Sequence, residues 1–342
     1  MILIGLCVKN QTKKIYLITG AAGFIGSSLC FKLANNNKVI GIDNLSKDHN
    51  YFIKIKRYQL VKKNIFKFYK LDINDENKLN FIISRFKPDC IIHLAASAGV
   101  RDSIDNPKKF ITNNILGFFN VIDAAKKNNV KKFIYASSSS VYGLNQKIPF
   151  KESLKLNFAP NIYAATKQSN EMFAKTYEYL HGYSSIGLRF FSVYGPWGRP
   201  DMAVYKFTKN ILEQKKITVY NNGKFRRDFT YIDDVVESII KLTKIKKSKK
   251  NLILNIGGSK NYKVLDLIKI IERTLNLKAK FIFKNSTGEM NSTKANTTNL
   301  QKLVRYKPST CLEKGMKKFI YWYLIFSQNK IFYPIIKYPY KK

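Results

Sequence analysis

Acidic residues, cysteine and long apolar runs are all scarce in this sequence. The chain has 342 residues, with 61 Lys and Arg against 22 Asp and Glu, and a formal net charge of +39. Its 4 cysteines are scattered and form no CxxC pair, so neither a disulfide framework nor a zinc site organises the fold, and no metal is expected. The longest apolar stretches, Met1–Val8 and Phe319–Phe326, are shorter than the ~20 residues of a membrane-spanning helix. A reduced, cytoplasmic globular protein without a signal peptide is expected.

The basic excess could indicate a nucleic-acid partner, but its distribution argues against one. Nucleic-acid surfaces concentrate Lys and Arg on one face and interleave aromatic residues for stacking. Here Lys is spread along the whole chain, and the local clusters Lys244–Lys250 and Lys337–Lys342 fall in a predicted loop and a tail. We interpret the excess as solvated charge and expect no specific nucleic-acid partner. A polyanion-binding role stays open as an alternative.

Short apolar runs alternate with helical patterns over the first half of the chain. Strands are predicted at Ile15–Thr19, Val39–Ile42, Phe66–Leu71, Cys90–Leu94, Phe133–Ala136 and Ser185–Phe190, and helices at Asn113–Lys127, Ala164–Leu180 and up to Ala34. Such alternation predicts an α/β fold, a Rossmann-type doubly wound parallel sheet, followed by a smaller mixed α/β C-terminal domain that binds substrate. The predicted boundaries are an N-terminal extension over 1–13, the sheet domain over 14–190 with returns near 229–257, the second domain over 191–228 and 258–326, and a basic aromatic tail over 327–342.

The first predicted strand runs into a glycine-rich turn and then a helix. Gly20 permits a tight turn, Gly23 lets the backbone approach a pyrophosphate, and Gly26 lets the helix pack closely on the strand. Phe24 and Ile25, between these glycines, belong to the same predicted phosphate site at the helix N-terminus. Asp43 ends the second predicted strand, where a carboxylate accepts both ribose hydroxyls of an adenosine. The sequence therefore predicts an NAD site, with NAD favoured over NADP.

Two further segments fit the same site, because ligands of open α/β sheets bind outside the carboxyl ends of the strands. Asp72 and Ile73 follow the third predicted strand, where they could cap an adenine. At the end of the fourth, small residues let the backbone approach a cofactor; this segment is Leu94, Ala95 and Ala96.

A tyrosine and a lysine one helical turn apart indicate redox or acid–base chemistry. Tyr163 and Lys167 share one face of a predicted helix, and a nearby cation lowers the pKa of a phenol towards neutrality. The run Ser137–Ser140 follows a predicted strand and supplies hydroxyl groups on the same side of the sheet. Together with the glycine turn, these residues predict a hydride-transfer site.

These motifs resemble the extended short-chain dehydrogenase/reductase family, and within it the UDP-glucuronate 4-epimerases. The resemblance runs from about residue 14 to about 326 and rests on the strings GAAGFIG, HLAASAGVR, ASSSSVYG, YAATK, GLRFFSVYGPWGRPDM and RRDFTYIDD. It implies tightly held NAD, a UDP-sugar substrate, a homodimer packed through helices, and interconversion of UDP-glucuronate and UDP-galacturonate through a 4-keto intermediate, for surface polysaccharide precursors.

The resemblance also implies residue roles. Tyr163 would take the proton from the sugar 4-hydroxyl, Lys167 would lower the tyrosine pKa and hold the nicotinamide ribose, and Ser138 would bond the 4-oxygen. Phe190 would lie by the nicotinamide. The implied substrate residues around the C5 substituent and the diphosphate are Ser139, Ser140, Ser192, Arg199 and Arg227, with Arg101 as a weaker candidate.

Several alternatives and departures accompany this interpretation. Related 4,6-dehydratases carry Asp–Glu in place of Ser139–Ser140, and related decarboxylases carry Glu in place of Ser140, so both activities are disfavoured. A 4-epimerase of UDP-glucose and UDP-galactose, or of N-acetylated sugars, stays the alternative, as does a non-catalytic NAD-binding protein that binds a polyanion. The family's Pro–Gly–Asp near the uridine is replaced by Thr287–Gly288–Glu289, and the tail could contact a membrane surface only weakly.

Overall fold

The structure is a computed structural model that describes residues 13–47, 51–145, 147–156, 158–246, 250–285 and 290–328. Its strands are β1 Ile15–Thr19, β2 Lys38–Asp43, β3 Lys67–Lys70, β4 Cys90–His93, β5 Lys132–Ser138, β6 Ile186–Phe190, β7 Ser192–Tyr194, β8 Lys216–Tyr220, β9 Arg226–Arg227, β10 Phe229–Tyr231, β11 Leu252–Ile256, β12 Tyr262–Lys263 and β13 Lys280–Lys284. Its helices are α1 Phe24–Ala34, α2 Tyr51–Asn64, α3 Glu76–Phe86, α4 Val100–Asp105, α5 Pro107–Phe110, α6 Gly117–Lys127, α7 Ile162–His181, α8 Ala203–Leu212, α9 Ile232–Lys244, α10 Val264–Leu275, α11 Thr298–Val304 and α12 Leu312–Gln328. The predicted extension before Lys13 and the predicted tail after Gln328 lie outside the described residues.

The first strand that the structure describes, β1, lies inside a seven-stranded sheet, between β4 and β2. The strand order is β11-β6-β5-β4-β1-β2-β3, and the pairs from β5 to β3 are parallel. The chain moves outward from β1 to β3, returns to the other side of β1, and then continues through β4, β5 and β6. The strand order therefore reverses between β1 and β4, where a doubly wound sheet leaves a crevice for a ligand. The predicted Rossmann-type fold is confirmed.

Helices cover this sheet because its strands are apolar on both faces. Leu17, Ile40 and Ile91 of three neighbouring strands are fully buried, and residues of α3 and α6 such as Ile83 and Val121 pack against them. Runs of β-branched residues buried on both faces are typical of parallel strands. The carboxyl ends of β1, β2, β4 and β5 therefore point to one edge, which is where the predicted cofactor residues occur.

The chain divides into two units by contacts within the described residues. The first is drawn from residues up to Val141, Phe158–Arg189 and Ile239–Leu254, and the second from Tyr142 to 156, Phe190–Ser238 and Asn255 onwards. Residues 142–156 and 229–238 thus group with the second unit, whereas the predicted boundaries put them with the first. The second unit contains three small two-stranded sheets, β10-β7, β12-β9 and β13-β8. None of the helices that the structure describes is long and apolar enough to cross a membrane.

Local boundaries differ from prediction where polar residues obscure the helical pattern. Helices α2 and α3 have no counterpart in the prediction, since α2 carries Lys or Arg at many positions and has little net apolar character. The helix predicted from Asn113 begins earlier, at Pro107, and passes through a π-helical turn at Ile111–Leu116. The return near 229–257 contains helix α9 as well as strand β11.

Candidate active site

The glycine turn after β1 is packed so closely that side chains are excluded from it. Gly20 has a φ of +70°, and a Cβ there would lie 2.7 Å from the backbone nitrogen of Ala95. A Cβ at Gly26 would overlap the carbonyl oxygen of Gly20. Both positions therefore require glycine, one for its backbone conformation and both for space. As a result, the start of α1 lies directly against the ends of β1 and of the segment after β4.

The start of α1 is suited to hold an anion. Gly23 is the N-cap residue and has no side-chain cap, its amide donates to Gly20 (2.9 Å), and its carbonyl accepts from the Ser27 amide (2.9 Å). The first turn of this 11-residue helix contains Phe24, Ile25 and Gly26 and no acidic residue. Backbone N–H groups of a first turn have no partner within the helix and carry the positive end of its dipole. They therefore have the chemistry to bind a phosphate, and the phosphate site here stays a prediction.

Asp43 joins the end of β2 to the glycine turn. Its buried carboxylate accepts from the amide of Ala22 (3.0 Å) and from the amide of Leu45 (2.9 Å). Next to it, the side chain of Asn44 donates to Asp72 (2.9 Å), whose other oxygen accepts from the amide of Asn74 (2.9 Å). The loops after β2 and β3 are thus linked, and Asn44 is a member of this edge that the sequence prediction missed. Ile73, beside Asp72, is buried in the core of the first unit.

The segment after β4 completes the same edge. Leu94 donates its amide to the carbonyl of Thr19 (3.1 Å), and Ala95 donates to the Thr19 hydroxyl (3.3 Å). That hydroxyl also bonds Nδ1 of buried His93 (2.8 Å), and burial lowers the pKa of His93 to about 3. At neutral pH the imidazole is therefore neutral, and its bond to the Thr19 hydroxyl links the end of β4 to the end of β1. Ala96 follows as an exposed small residue.

The predicted acid–base pair lies on α7, beside the end of β5. Lys167 is 2% exposed and donates from Nζ to the carbonyl of Ala136 in β5 (2.9 Å). Burial lowers its pKa to about 8. Tyr163, one turn earlier on the same helix, is half-buried, with its ring edge-to-face against Phe110 (6.2 Å between centroids). At neutral pH the lysine is a buried cation next to β5, placed to favour the ionised form of a nearby phenol.

The predicted serines follow directly. Ser138 is the last residue of β5 and is buried, and its Oγ accepts from the amide of Ser140 and bonds the Ser140 hydroxyl, both at 3.2 Å. Ser139 opens the short 3₁₀ turn that follows β5. Ser138 and the Lys167 contact at Ala136 thus lie two residues apart on one strand.

Polar contacts outside the prediction fix α7 in place. Glu171 is paired with Arg189 of β6 through two hydrogen bonds (2.9 and 2.7 Å) and accepts from the Ser137 hydroxyl of β5 (2.6 Å), and the pair is almost fully buried. Asn114, in the π-helical turn, donates to the Thr166 hydroxyl (3.0 Å) and accepts from the amide of Ser97 (2.7 Å). These contacts span many residues in sequence, so no local pattern could have revealed them.

The second unit contains a cavity of about 180 Å³. Three predicted substrate residues, Ser192, Arg199 and Arg227, line it, together with aromatic residues that include Tyr220 and Phe225. A cavity with two guanidinium groups, hydroxyls and aromatic rings has the chemistry to bind an anionic ligand with a planar ring.

Each arginine of this cavity has fixed partners. Arg199 forms a fork with Asp201, Nε–Oδ1 at 3.1 Å and Nη2–Oδ2 at 2.5 Å. Arg227 donates to the carbonyl of Met290 (2.8 Å) and lies over the ring of Phe225 (4.9 Å). Both guanidinium groups are therefore oriented by the protein itself.

Asp228, next to Arg227, organises the loops around it. Its buried carboxylate accepts from the amides of Gly258 (2.7 Å), Ser259 (3.0 Å) and Ala295 (2.9 Å). Burial nevertheless raises the pKa of Asp228 to about 6, since desolvation outweighs these hydrogen bonds. This carboxylate holds β9 and β10 against two other segments of the second unit.

Two predicted positions are not brought into these clusters. Arg101 is an exposed residue in the first turn of α4, in the first unit. Phe190 is the last residue of β6 and is 9% exposed. Both stay predictions. The segment Thr287–Gly288–Glu289 lies outside the described residues.

A parallel sheet with a glycine turn, an acidic residue ending the second strand and a Tyr–Lys pair on a helix defines an NAD-dependent enzyme. The family model described as the NAD dependent epimerase/dehydratase family matches residues 16–257, and the chain belongs to this family. It is therefore an epimerase, an isomerase with NAD as cofactor. The glycine cradle, the uncapped start of α1 and Asp43 all fit that cofactor.

Individual relatives agree with this assignment. An uncharacterised protein of Methanocaldococcus jannaschii is 46% identical over 91% of this chain and 96% of its own length. UDP-glucuronate 4-epimerase 4 of Arabidopsis thaliana is 41% identical over 90% of this chain and 75% of its own length. The crystal structure of UDP-glucuronic acid 4-epimerase from Bacillus cereus, in complex with UDP-glucuronic acid and NAD, is 33% identical, with a TM-score of 0.86 over 91% of this chain and 99% of that chain.

The glycine turn gives a direct test of the cofactor site. Gly20→Ala should destabilise the protein by more than about 2 kcal/mol and abolish retention of NAD, because the new Cβ meets the Ala95 backbone in a left-handed conformation. Urea unfolding and the NAD released on denaturation measure the two effects.

Gly182→Ala is the matched control for this change. Gly182 also has a positive φ (+59°), but nothing lies within 4 Å of its Cβ position. Gly182→Ala should therefore lower the free energy of unfolding by only about 1 kcal/mol and leave NAD bound. Equal effects of the two substitutions would contradict the close packing at Gly20.

Proposed function

We propose that this protein interconverts UDP-glucuronate and UDP-galacturonate, by epimerising C4 of the sugar, and supplies a precursor of a surface polysaccharide. The proposal is carried by a feature of each unit: the Tyr163 and Lys167 pair on α7 in the first unit, and the cavity lined by Arg199 in the second. The first can remove and return the proton of a sugar hydroxyl, and the second offers a guanidinium to a carboxylate. The Arabidopsis and Bacillus relatives are named for this activity.

The proposed chemistry uses few groups of the protein. Tyr163, as phenolate, accepts the proton of the sugar 4-hydroxyl, and the Lys167 ammonium stabilises that phenolate. Ser138 donates its hydroxyl to the 4-oxygen, which becomes a carbonyl in the 4-keto intermediate. Bound NAD supplies the hydride acceptor, and afterwards the hydride donor, at C4. The sugar must turn over between the two transfers, and Tyr163 then returns its proton to the 4-oxygen.

Substrate binding is proposed to involve the second unit. Arg227, fixed by the Met290 carbonyl, is assigned to the diphosphate, and Arg199 with Ser192 to the sugar carboxylate. Ser139 and Ser140 are proposed to donate hydroxyls to the same carboxylate. Guanidinium groups suit both ligands because they bind planar or tetrahedral anions through paired N–H donors.

A second candidate substrate pair is UDP-glucose and UDP-galactose. The observation that favours it is the Arg199–Asp201 pair, whose two charges cancel. A cancelled charge suits the neutral CH₂OH group of those sugars as well as a carboxylate. About a quarter of the Arg199 side chain is nevertheless exposed, and this residue lines the cavity, so we rank the uronate first.

We also propose that the protein is a homodimer packed through α6 and α7. Large apolar side chains of this region are exposed, including Leu116, Phe119, Met172 and Leu180. The rings of Phe119 and Tyr177 meet edge-to-face (6.4 Å), so α6 and α7 form one surface. A second copy of the chain would cover these side chains.

Conversion of UDP-glucuronate by the purified protein, without added NAD, tests the proposed function. UDP-galacturonate should appear, as resolved by chromatography. Tyr163→Phe should lower kcat by at least about 100-fold, because the proton acceptor is lost. Tyr179→Phe, on the same helix and 88% exposed, should leave the rate unchanged. Conversion of UDP-glucose but not of UDP-glucuronate would support the second candidate instead.

The burial of Lys167 predicts a pH dependence. The rate should fall as pH rises through about 8, because the ammonium that stabilises the phenolate is lost. Lys167→Arg should shift this fall to higher pH, since a guanidinium stays charged.

The effect of Lys167 on stability has the opposite sign. Its pKa of about 8 is lower than the value of 10.5 for an exposed lysine, so between these two pH values the unfolded chain binds more protons than the folded chain, and stability rises with pH. Deprotonation of Lys167 therefore does not lower the rate by unfolding the protein. A pH profile of the rate that Lys167→Arg leaves unchanged would contradict the role assigned to Lys167.

Sedimentation equilibrium tests the homodimer. Met172→Lys with Leu180→Lys should convert a dimer to a monomer, because two charges would be buried without partners. Tyr321→Lys, an equally exposed aromatic position on α12, is the control and should stay dimeric. A wild-type monomer would exclude the proposal.

A further inference from the structure

The loop that carries Arg199 is held by two tight turns of the backbone. The amide of Gly198 donates to the carbonyl of Gly195 (3.0 Å), and the amide of Met202 donates to the carbonyl of Arg199 (3.2 Å). Arg199 therefore stands where the first turn ends and the second begins. Asp201 occupies the third position of the second turn, which brings its carboxylate back to the side chain of Arg199.

The first turn is anchored by an aromatic residue in an unusual conformation. Trp197 has a φ of +63°, at a turn position where glycine or asparagine is favoured. Its ring packs on Trp322 and Phe326 of α12, with 5.3 Å between centroids in both cases. These contacts compensate for an unfavourable backbone conformation, so the main chain before Arg199 has a fixed position within the second unit.

The ion pair with Asp201 also fixes the conformation of the Arg199 side chain. Asp201 binds the Nε and Nη2 edge of the guanidinium through both carboxylate oxygens. Arg199 lines the cavity of the second unit, whereas Asp201 is not among its lining residues. The carboxylate therefore holds the guanidinium from outside the cavity.

We propose that Asp201 is the positioning residue that sets the preference of this enzyme for a sugar nucleotide with a C6 carboxylate. The inference rests on the proposed function and deepens it. Asp201 makes no contact with substrate in this proposal. It restricts Arg199 to one rotamer before the substrate binds. The entropy cost of ordering this long side chain therefore does not weaken substrate binding.

The ion pair has two effects of opposite sign on a bound carboxylate. The negative charge of Asp201 weakens the attraction of Arg199 for an anion, whereas the fork strengthens binding by orienting the N–H donors. Both side chains are about one fifth to one quarter exposed, so solvent screens the repulsion between Asp201 and a bound carboxylate. Solvent does not weaken the effect of the fork on the orientation of the Arg199 donors. We therefore expect the orientation effect to dominate. Whether the KM for UDP-glucuronate rises or falls when Asp201 is replaced decides between the two effects.

Asp201→Asn is the test, made in the NAD-bound holoenzyme. The amide keeps the size of the side chain but cannot accept both N–H bonds of the fork. The KM for UDP-glucuronate should rise about tenfold with kcat changed by less than about twofold, because the lost interaction acts on binding. The kinetic constants for UDP-glucose should not change. Asp201→Glu, which restores the carboxylate, should recover part of the loss.

A double variant shows whether Asp201 acts through Arg199. Arg199→Ala should raise the KM for UDP-glucuronate at least as much as Asp201→Asn does, and Arg199→Ala with Asp201→Asn should be no worse than Arg199→Ala alone. Glu213→Gln, which breaks an ion pair with Lys215 elsewhere in the second unit (2.8 Å), is the control and should change no kinetic constant. Thermal unfolding of each variant shows that the fold is retained.

The outcomes are distinct. An unchanged KM in Asp201→Asn, or losses that add in the double variant, would overturn the positioning role. A fall in that KM would also overturn it and show that Asp201 competes with the substrate carboxylate. If the wild type converts UDP-glucose and not UDP-glucuronate, the proposed function fails first, and the proposal about Asp201 fails with it.

Discussion

The close approach of the α1 start to the ends of β1 and β4 is the constraint on which the rest of this site depends. It exists only because Gly20 and Gly26 have no side chains, since a Cβ at either position would overlap backbone atoms. The approach places backbone N–H groups and the positive end of a helix at the point where the strand order reverses. Asp43 and Thr19 then hold this arrangement through hydrogen bonds to neighbouring backbone. A dinucleotide site follows from packing before any side chain contributes to binding.

The position of helix α7 depends on polar contacts that cost free energy to bury. Glu171 and Arg189 are removed from water together, and such a pair stabilises little compared with apolar residues of the same size. The pair instead orients the helix, because the fork with Arg189 and the hydrogen bond from Ser137 set the rotation of α7 over β5 and β6. Asn114 adds a link to the next turn through Thr166. The contact of Lys167 with the Ala136 carbonyl of β5 is therefore a consequence of other polar groups along α7.

The sequence predicts best what local patterns determine. The glycine turn, the strands β1, β2 and β4 and the helix α7 follow from short-range spacing, and the structure has them within a few residues. Helices α2 and α3 were missed; in α2, Lys and Arg occupy many positions and leave little net apolar character. Contacts such as Asn114–Thr166 or Glu171–Arg189 join elements that only the tertiary fold brings together. Arg199 and Asp201 are only two positions apart in sequence, yet which of the two lines the cavity depends on turns that composition does not specify.

The two cations assigned to the chemistry and to the substrate are held in opposite ways. Lys167 is buried, donates to a neutral carbonyl and forms no ion pair within the part of the chain that the structure describes, so its charge is not compensated locally. In a medium of low dielectric, that charge acts strongly on a nearby phenol. Arg199 is partly exposed and its charge is balanced by Asp201, so its field at a distance is weak. What it retains is a fixed planar set of donors. In this molecule an uncompensated charge therefore suits proton transfer, and a compensated but oriented charge suits selection between substrates.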